Sequence, residues 1–208
     1  MREVERIGAL ILAAGRSRRM GDFKPLLPLR GRTLIENSVG SVLAGGAAFA
    51  TVVTGFRAGD VEAVLAGSFG ARVQFIRNEA YATTDMLRSV QIGASVLPEC
   101  DAFFLLPGDM PVIAQSTFTS LLAMRAENPA PVIFPSIGGK RKHPPLIDAR
   151  MIPEILAFHG DGGLRMLWQQ HEQDIVYVPV CDPGVGIDLD TPDEYQICKQ
   201  NYEAHKEV

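Results

Sequence analysis

Apolar residues along this chain fall into short runs of strand length, which alternate with stretches where apolar positions recur every three or four residues. The runs predict strands near 7–13, 50–55, 72–76, 102–107, 131–135 and 175–180. The periodic stretches predict helices near 34–44, 59–66, 85–97, 116–126, 162–170 and 192–204. Alternation of this kind is the pattern of βαβ units wound about a mostly parallel sheet, so the expected class is α/β. Two helix starts carry capping boxes, Thr33 with Glu36 and Thr191 with Glu194, the second with Pro192 at the first helical position. Residues 136–148 break the alternation with glycines, basic residues and two prolines, and are expected to form a loop or hairpin insertion. With 208 residues, no repeat and no interdomain linker, residues 1–208 are expected to form a single domain.

Composition narrows the class without naming a function. At 47% hydrophobic and 21% charged, the chain can bury an ordinary core. Its longest apolar stretches fall short of the about 20 residues that a membrane helix needs. Cys100, Cys181 and Cys198 are odd in number and far apart, which suggests neither disulfides nor a zinc site and makes a reducing, cytoplasmic setting the expectation. The net charge of −4 excludes a general coat for nucleic acid or membrane, yet it is a difference between opposed segments. Residues 16–32 hold Arg16, Arg18, Arg19, Lys24, Arg30 and Arg32 against Asp22 alone, whereas residues 166–198 hold seven acids and no Lys or Arg.

In a doubly wound sheet, ligands bind beyond the carboxyl ends of the strands. The loops expected there are 14–25, 77–85, 108–112, 136–145 and 181–190. The first combines Gly15 and Gly21 with cations ending at Lys24. Glycines let backbone N–H groups approach an anion, and Arg and Lys donate charge-assisted bonds to phosphate oxygens, so a polyphosphate is the natural ligand. Asp22 stands where a Walker A loop needs Lys, and no Gly-x-Gly occurs, so neither that loop nor the dinucleotide fingerprint is present and a dehydrogenase is disfavoured. Asp109 follows the apolar run 102–107 directly and falls at the same sheet edge, where a carboxylate could hold Mg²⁺ against phosphate. Asp188 and Asp190, two apart on an extended segment, share a face and offer a second metal carboxylate; Asp193 and Glu194 sit in a first helical turn that favours acids structurally. Taken singly, each segment also reads as an exposed turn.

Together, LAAGRSRRMGDFKPLLPLRGRTL (12–34), PGDMP (107–111) and DLDTPDEY (188–195) resemble the MobA-like nucleotidyltransferases, nearest the molybdenum cofactor cytidylyltransferases. The first segment fits the family pattern LAAGxSxRMGxxKxLLPxxGxxL at every fixed position. GGKRKHPPL (138–146) is similar to the family's GxxxHP segment, and GDGGLRMLW (160–168) to its GDxGxRxLL segment. The resemblance implies a Rossmann-like three-layer α/β/α nucleotidyltransferase fold. It also implies a Mg²⁺-dependent reaction in which a nucleoside triphosphate and a phosphorylated acceptor give a nucleotide-linked product and pyrophosphate.

Carried over by residue, the resemblance gives Arg19 and Lys24 to the triphosphate, with Arg16 and Arg18 accessory. Leu12, Ala13, Ala14 and Gly15 become the floor under base and ribose. Asp109 and Asp188 become metal ligands with Asp190 beside them, and Ser89 a base contact. His143 and Arg165 become acceptor contacts. LAAG rather than LAGG favours CTP over GTP, and the acceptor implied is molybdopterin, with a molybdoenzyme maturation factor as a further partner. The chain departs from the pattern at Thr84, Asp85 and Met86, where the family usually has Gly-Met, and at Lys142, where it often has Gly. Transfer to a sugar phosphate or other small phosphate, guanylyl transfer and a non-catalytic cofactor-insertion module are the alternatives.

Overall fold

The computed structural model describes residues 5–17 and 19–203, so Arg18 lies outside the described residues. Strand β1 (Ile7–Ala13) leads through a short helical turn, Lys24–Leu26, into a hairpin of β2 (Pro28–Leu29) and β3 (Arg32–Thr33). Then follow α1 (Leu34–Ala44), β4 (Phe49–Thr54), α2 (Ala58–Phe69), β5 (Val73–Arg77), α3 (Met86–Ala94), β6 (Ala102–Pro107) and α4 (Gln115–Glu127). The remainder comprises β7 (Val132–Ile137), β8 (Lys140–Arg141), β9 (Leu146–Asp148), α5 (Ile152–Ala157), α6 (Leu164–Gln170), β10 (Val176–Pro179) and α7 (Pro192–Glu203).

The main sheet runs β10-β7-β9-β6-β1-β4-β5, with β8 paired to β7. Every main-path pairing is parallel except those of β9, which is antiparallel to both β6 and β7. The central strands β1, β4 and β6 are buried on both faces, which is why they read as continuous apolar runs. Alternate residues feed two cores. Ala9, Ile11, Phe104 and Leu106 pack under α1, α2 and α4, while Leu10, Phe103 and Leu105 pack under α3, α5 and α6. This is the expected three-layer α/β/α arrangement. Gly93 allows α3 to lie close on the sheet, since a Cβ there would fall 2.2 Å from a Leu10 methyl. A smaller cluster, with Met20, Leu29, Leu34, Leu189 and Tyr195, ties α7 against the β2–β3 hairpin.

The six predicted strands and six predicted helices are all present, and the Thr33–Glu36 capping box forms in both directions. The predicted helix 85–97 is shorter, because Asp85 caps it by accepting from the Arg88 amide and Ser95 ends it. The insertion is the main difference. Gly138 and Gly139 both take positive φ (57° and 75°) and turn β7 into β8, after which β9 slots between β7 and β6. Helix α5 is only six residues long, too short for the apolar pattern to predict.

At the amino-terminal edge of the sheet, a buried ion network closes the layers. Arg125, 6% exposed, donates to Asp148 (2.9 Å) and to the Asp101 carbonyl (3.1 Å), and Arg150 also binds Asp148. Burial alone would raise the Asp148 carboxyl, but bonds from Arg150 and Arg125 outweigh it and hold the carboxyl below its ordinary 3.8. A depressed folded-state pKa means stability that is present above 3.8 and lost as pH falls through the folded value. Arg125→Met should therefore cost about 2–3 kcal/mol at neutral pH, less than for an isolated buried pair because Arg150 remains. Denaturant melts as a function of pH should show the variant's deficit shrinking in acid.

Candidate active site

Chain order reverses between β1 and β6: β4 and β5 lie on one side of β1, and β6 and the later strands on the other. At such a switch point the loops after the two central strands diverge and leave a crevice. Gly108 narrows it. Its amide donates to the Leu12 carbonyl (2.9 Å), its carbonyl accepts from Ser38 (3.0 Å), and an added Cβ would fall 2.7 Å from Ile35. The following residue, Asp109, is thereby set against the first loop.

Two recesses meet here, sharing Leu12. The smaller, about 220 Å³, is lined by Leu12, Ala13, Gly15, Arg19, Lys24, Asp109 and Asp190, among others. Lys24, only 7% exposed, donates from Nζ to Asp109 Oδ2 at 2.6 Å and to Asp190 Oδ1 at 3.1 Å. Arg19, exposed, pairs through Nη2 with Asp190 Oδ2 at 2.8 Å. Burial would lower the Lys24 pKa, but the charge and hydrogen bond of Asp109, followed by those of Asp190, more than reverse this and raise it. Lys24 is thus firmly an ammonium. The first loop is bordered by Arg16, whose guanidinium lies 5.2 Å from the centre of the Tyr81 ring.

One carboxylate oxygen from each of Asp109, Asp188 and Asp190 lies within 4.8 Å of the other two. Burial, then the neighbouring Asp109 and Asp190, push the Asp188 carboxyl above its ordinary value. The Oδ1 of Asp109 is buried without a hydrogen-bond partner among the described residues. An all-oxygen set with an orphaned, buried carboxylate oxygen fits a hard cation such as Mg²⁺. Glu194 belongs elsewhere: it accepts from the backbone amides of Asp190 and Thr191 in the second capping box and so holds Asp190 in place.

The larger recess, about 500 Å³, is walled by apolar residues including Leu12, Leu105, Phe134 and Trp168, with Arg141, Lys142 and Arg165 as its cations. His143 also lines it. Burial pushes the His143 imidazole below its ordinary value, partly offset by the Leu105 backbone and the charge of Asp109, and its Nδ1 has no partner among the described residues. A neutral imidazole therefore faces a cavity lined by three cations and, at the start of α3, by Asp85. The departing residues Asp85 and Met86 also reach this wall.

The structure brings together Arg19, Lys24, Asp109, Asp188 and the backbone of Leu12, Ala13 and Gly15 at one edge, with His143 and Arg165 on the adjoining recess. Ala14 is buried behind them. Ser89 is not brought there. It is 6% exposed, lines neither recess and accepts from Asn78 Nδ2 at 3.0 Å. Asn78, at the carboxyl end of β5, also donates to Thr84 (3.0 Å) and accepts from the Ala80 amide (3.1 Å), so it organises the whole 78–89 segment. The sequence offered one unused signal for it, a polar residue ending an apolar strand at the ligand edge.

The chain is similar to known proteins over most of its length. The model of the MobA-like NTP transferase domain matches residues 9–175. A molybdenum cofactor cytidylyltransferase of Escherichia coli K12 is 26% identical over 94% of this chain and 97% of its own. A nicotine blue oxidoreductase of Paenarthrobacter nicotinovorans is 27% identical over 90% of this chain and 94% of its own. Among solved structures, a nucleotidyl transferase from Methanothermobacter thermautotroptrophicus superposes with a TM-score of 0.82 at 26% identity, covering 97% of this chain and 99% of that one.

Proposed function

Since this chain belongs to the MobA-like NTP transferase family, we propose that it transfers CMP from CTP to a phosphorylated acceptor of the molybdopterin type, releasing pyrophosphate. The observation that carries the reading is the junction of the two recesses at Leu12: a small one built of paired cations and carboxylates, and a larger apolar one lined by three cations and by Asp85. Two relatives of nearly equal identity bear different activities in their names, so identity alone does not choose between them. Side chains suited to phosphate chemistry favour transfer.

In this reading residues 1–208 work as one nucleotidyltransferase unit. The backbone of 12–15 supports the nucleotide, and Lys24 and Arg19 neutralise and align its phosphates. Asp109 and Asp188 would hold Mg²⁺, with Asp190 beside them. The bound ion would supply positive charge to the leaving pyrophosphate. An ionised acceptor phosphate oxygen forms its bond to the α-phosphorus, the α–β bridging bond breaks, and the electron pair leaves on pyrophosphate. That nucleophile needs no general base, which suits the neutral His143 as an orienting wall rather than a proton acceptor. CTP is favoured over GTP by the LAAG segment and the cytidylyltransferase relative.

The test is pyrophosphate release with each of CTP, GTP, ATP and UTP, Mg²⁺, and either molybdopterin or a sugar 1-phosphate. Release with CTP and molybdopterin supports the reading. Release confined to GTP or to the sugar phosphate replaces it with the corresponding alternative, and no release with any pterin acceptor ends it. Lys142 gives a finer prediction, since it lies on the acceptor wall with Nζ 3.7 Å from where a Gly186 Cβ would sit. Lys142→Gly should raise the acceptor KM about tenfold, the worth of one charge-assisted bond, with a smaller change in the CTP KM.

A further inference from the structure

Three carboxylates and two cations meet at the switch point: Asp109, Asp188 and Asp190 against Lys24 and Arg19. Their sum is one negative charge. The ammonium of Lys24 is nearly buried and held between Asp109 and Asp190, so without another anion to accept from it, it stays against these carboxylates. A divalent ion approaching the carboxylates alone would meet this fixed like charge at short range, where screening by water and salt is weak. We propose, on the basis of the nucleotide reading above, that Lys24 is a built-in counter-ion that masks the carboxylates, so that the divalent metal binds with the triphosphate and not before it.

The arrangement contains what the exchange requires. A triphosphate in the small recess offers Lys24 and Arg19 stronger acceptors than the carboxylates they hold. Their departure uncovers Asp109 Oδ2 and both oxygens of Asp190. Asp109 Oδ1 and Asp188 stand outside the Lys24 bonds from the start and complete the donor set. Lys24 would then have two positions, on carboxylate before nucleotide binds and on phosphate after, and the charge it leaves behind is what draws the metal. A protein using this device avoids holding a metal in an empty site.

Electron paramagnetic resonance of Mn²⁺, with the protein as it is and no acceptor present, measures bound metal independently of turnover. Without nucleotide, the wild type should bind Mn²⁺ weakly, and Lys24→Met should bind it at least about tenfold more tightly, since one fixed like charge has been removed. Arg19→Ala, a substitution at an exposed residue that leaves the fold intact, should shift binding in the same direction by less. Adding CTP should tighten Mn²⁺ binding strongly in the wild type and little in Lys24→Met. Adding Asp109→Asn to Lys24→Met should abolish the gain. Equal nucleotide-free affinity in the wild type and both single variants would overturn the proposal, while a CTP effect in the same titration would leave the nucleotide reading standing. A nucleotide-free gain in the variants with no effect of any nucleoside triphosphate on the wild type would keep the masking by Lys24 and remove the CTP reading.

Discussion

Asp109→Asn is expected to lower CTP-dependent pyrophosphate release by about 10²–10³-fold, the loss typical when one preorganised electrostatic group is removed from a charged transition state. The amide preserves size and can still accept from Lys24, so Gly108 and the crevice should keep their geometry. What is lost is the buried anionic oxygen that has no hydrogen-bond partner among the described residues. The decrease should fall in kcat more than in the CTP KM, because charge on the leaving pyrophosphate develops in the transition state. Steady-state kinetics with unchanged melting behaviour would separate this from unfolding.

Lys24→Met should lower kcat by about 10²-fold or more, since a positioned cation on the transferring phosphates is lost. Methionine approximates the volume of the buried lysine stem, so packing beside Pro25 and Leu26 is retained. The same variant that loses turnover should gain metal affinity in the absence of nucleotide. A residue whose only role was structural would depress both quantities, so the opposite signs are diagnostic. Parallel kinetics and Mn²⁺ titration on one preparation provide the comparison.

Much of this site is legible in the sequence, because its elements are local. The first loop and the Asp109 turn each follow an apolar strand directly, and parallel register then brings them together, with Leu12 opposite Pro107. The Thr33 and Thr191 caps depend on side chains three residues apart, and both form as expected. What escaped the sequence is non-local. Strand β9 is three residues long and follows two prolines, so no periodicity announces that it divides the parallel sheet. Asp188 and Asp190 are equivalent by alternation, yet Asp190 is clasped by Lys24 and Arg19 while Asp188 is exposed and feels Lys24 through its charge. Ser89 is a base contact by resemblance alone, and its hydrogen bond from Asn78, 11 residues earlier, is a contact that no local pattern announces. No helix among the described residues is long and apolar enough to cross a membrane, as the hydropathy pattern indicated.

The proposed transfer requires a triphosphate in the small recess with a divalent ion on the acidic cluster. A crystal structure of the protein with CTP and Mn²⁺, read by the anomalous signal of manganese, tests that most directly. The expected result is a manganese peak contacting Asp109 and Asp188, with Lys24 and Arg19 moved onto phosphate oxygens and the larger recess open for the acceptor. Manganese away from these carboxylates, or CTP bound with Lys24 still paired to Asp109 and Asp190, would contradict it.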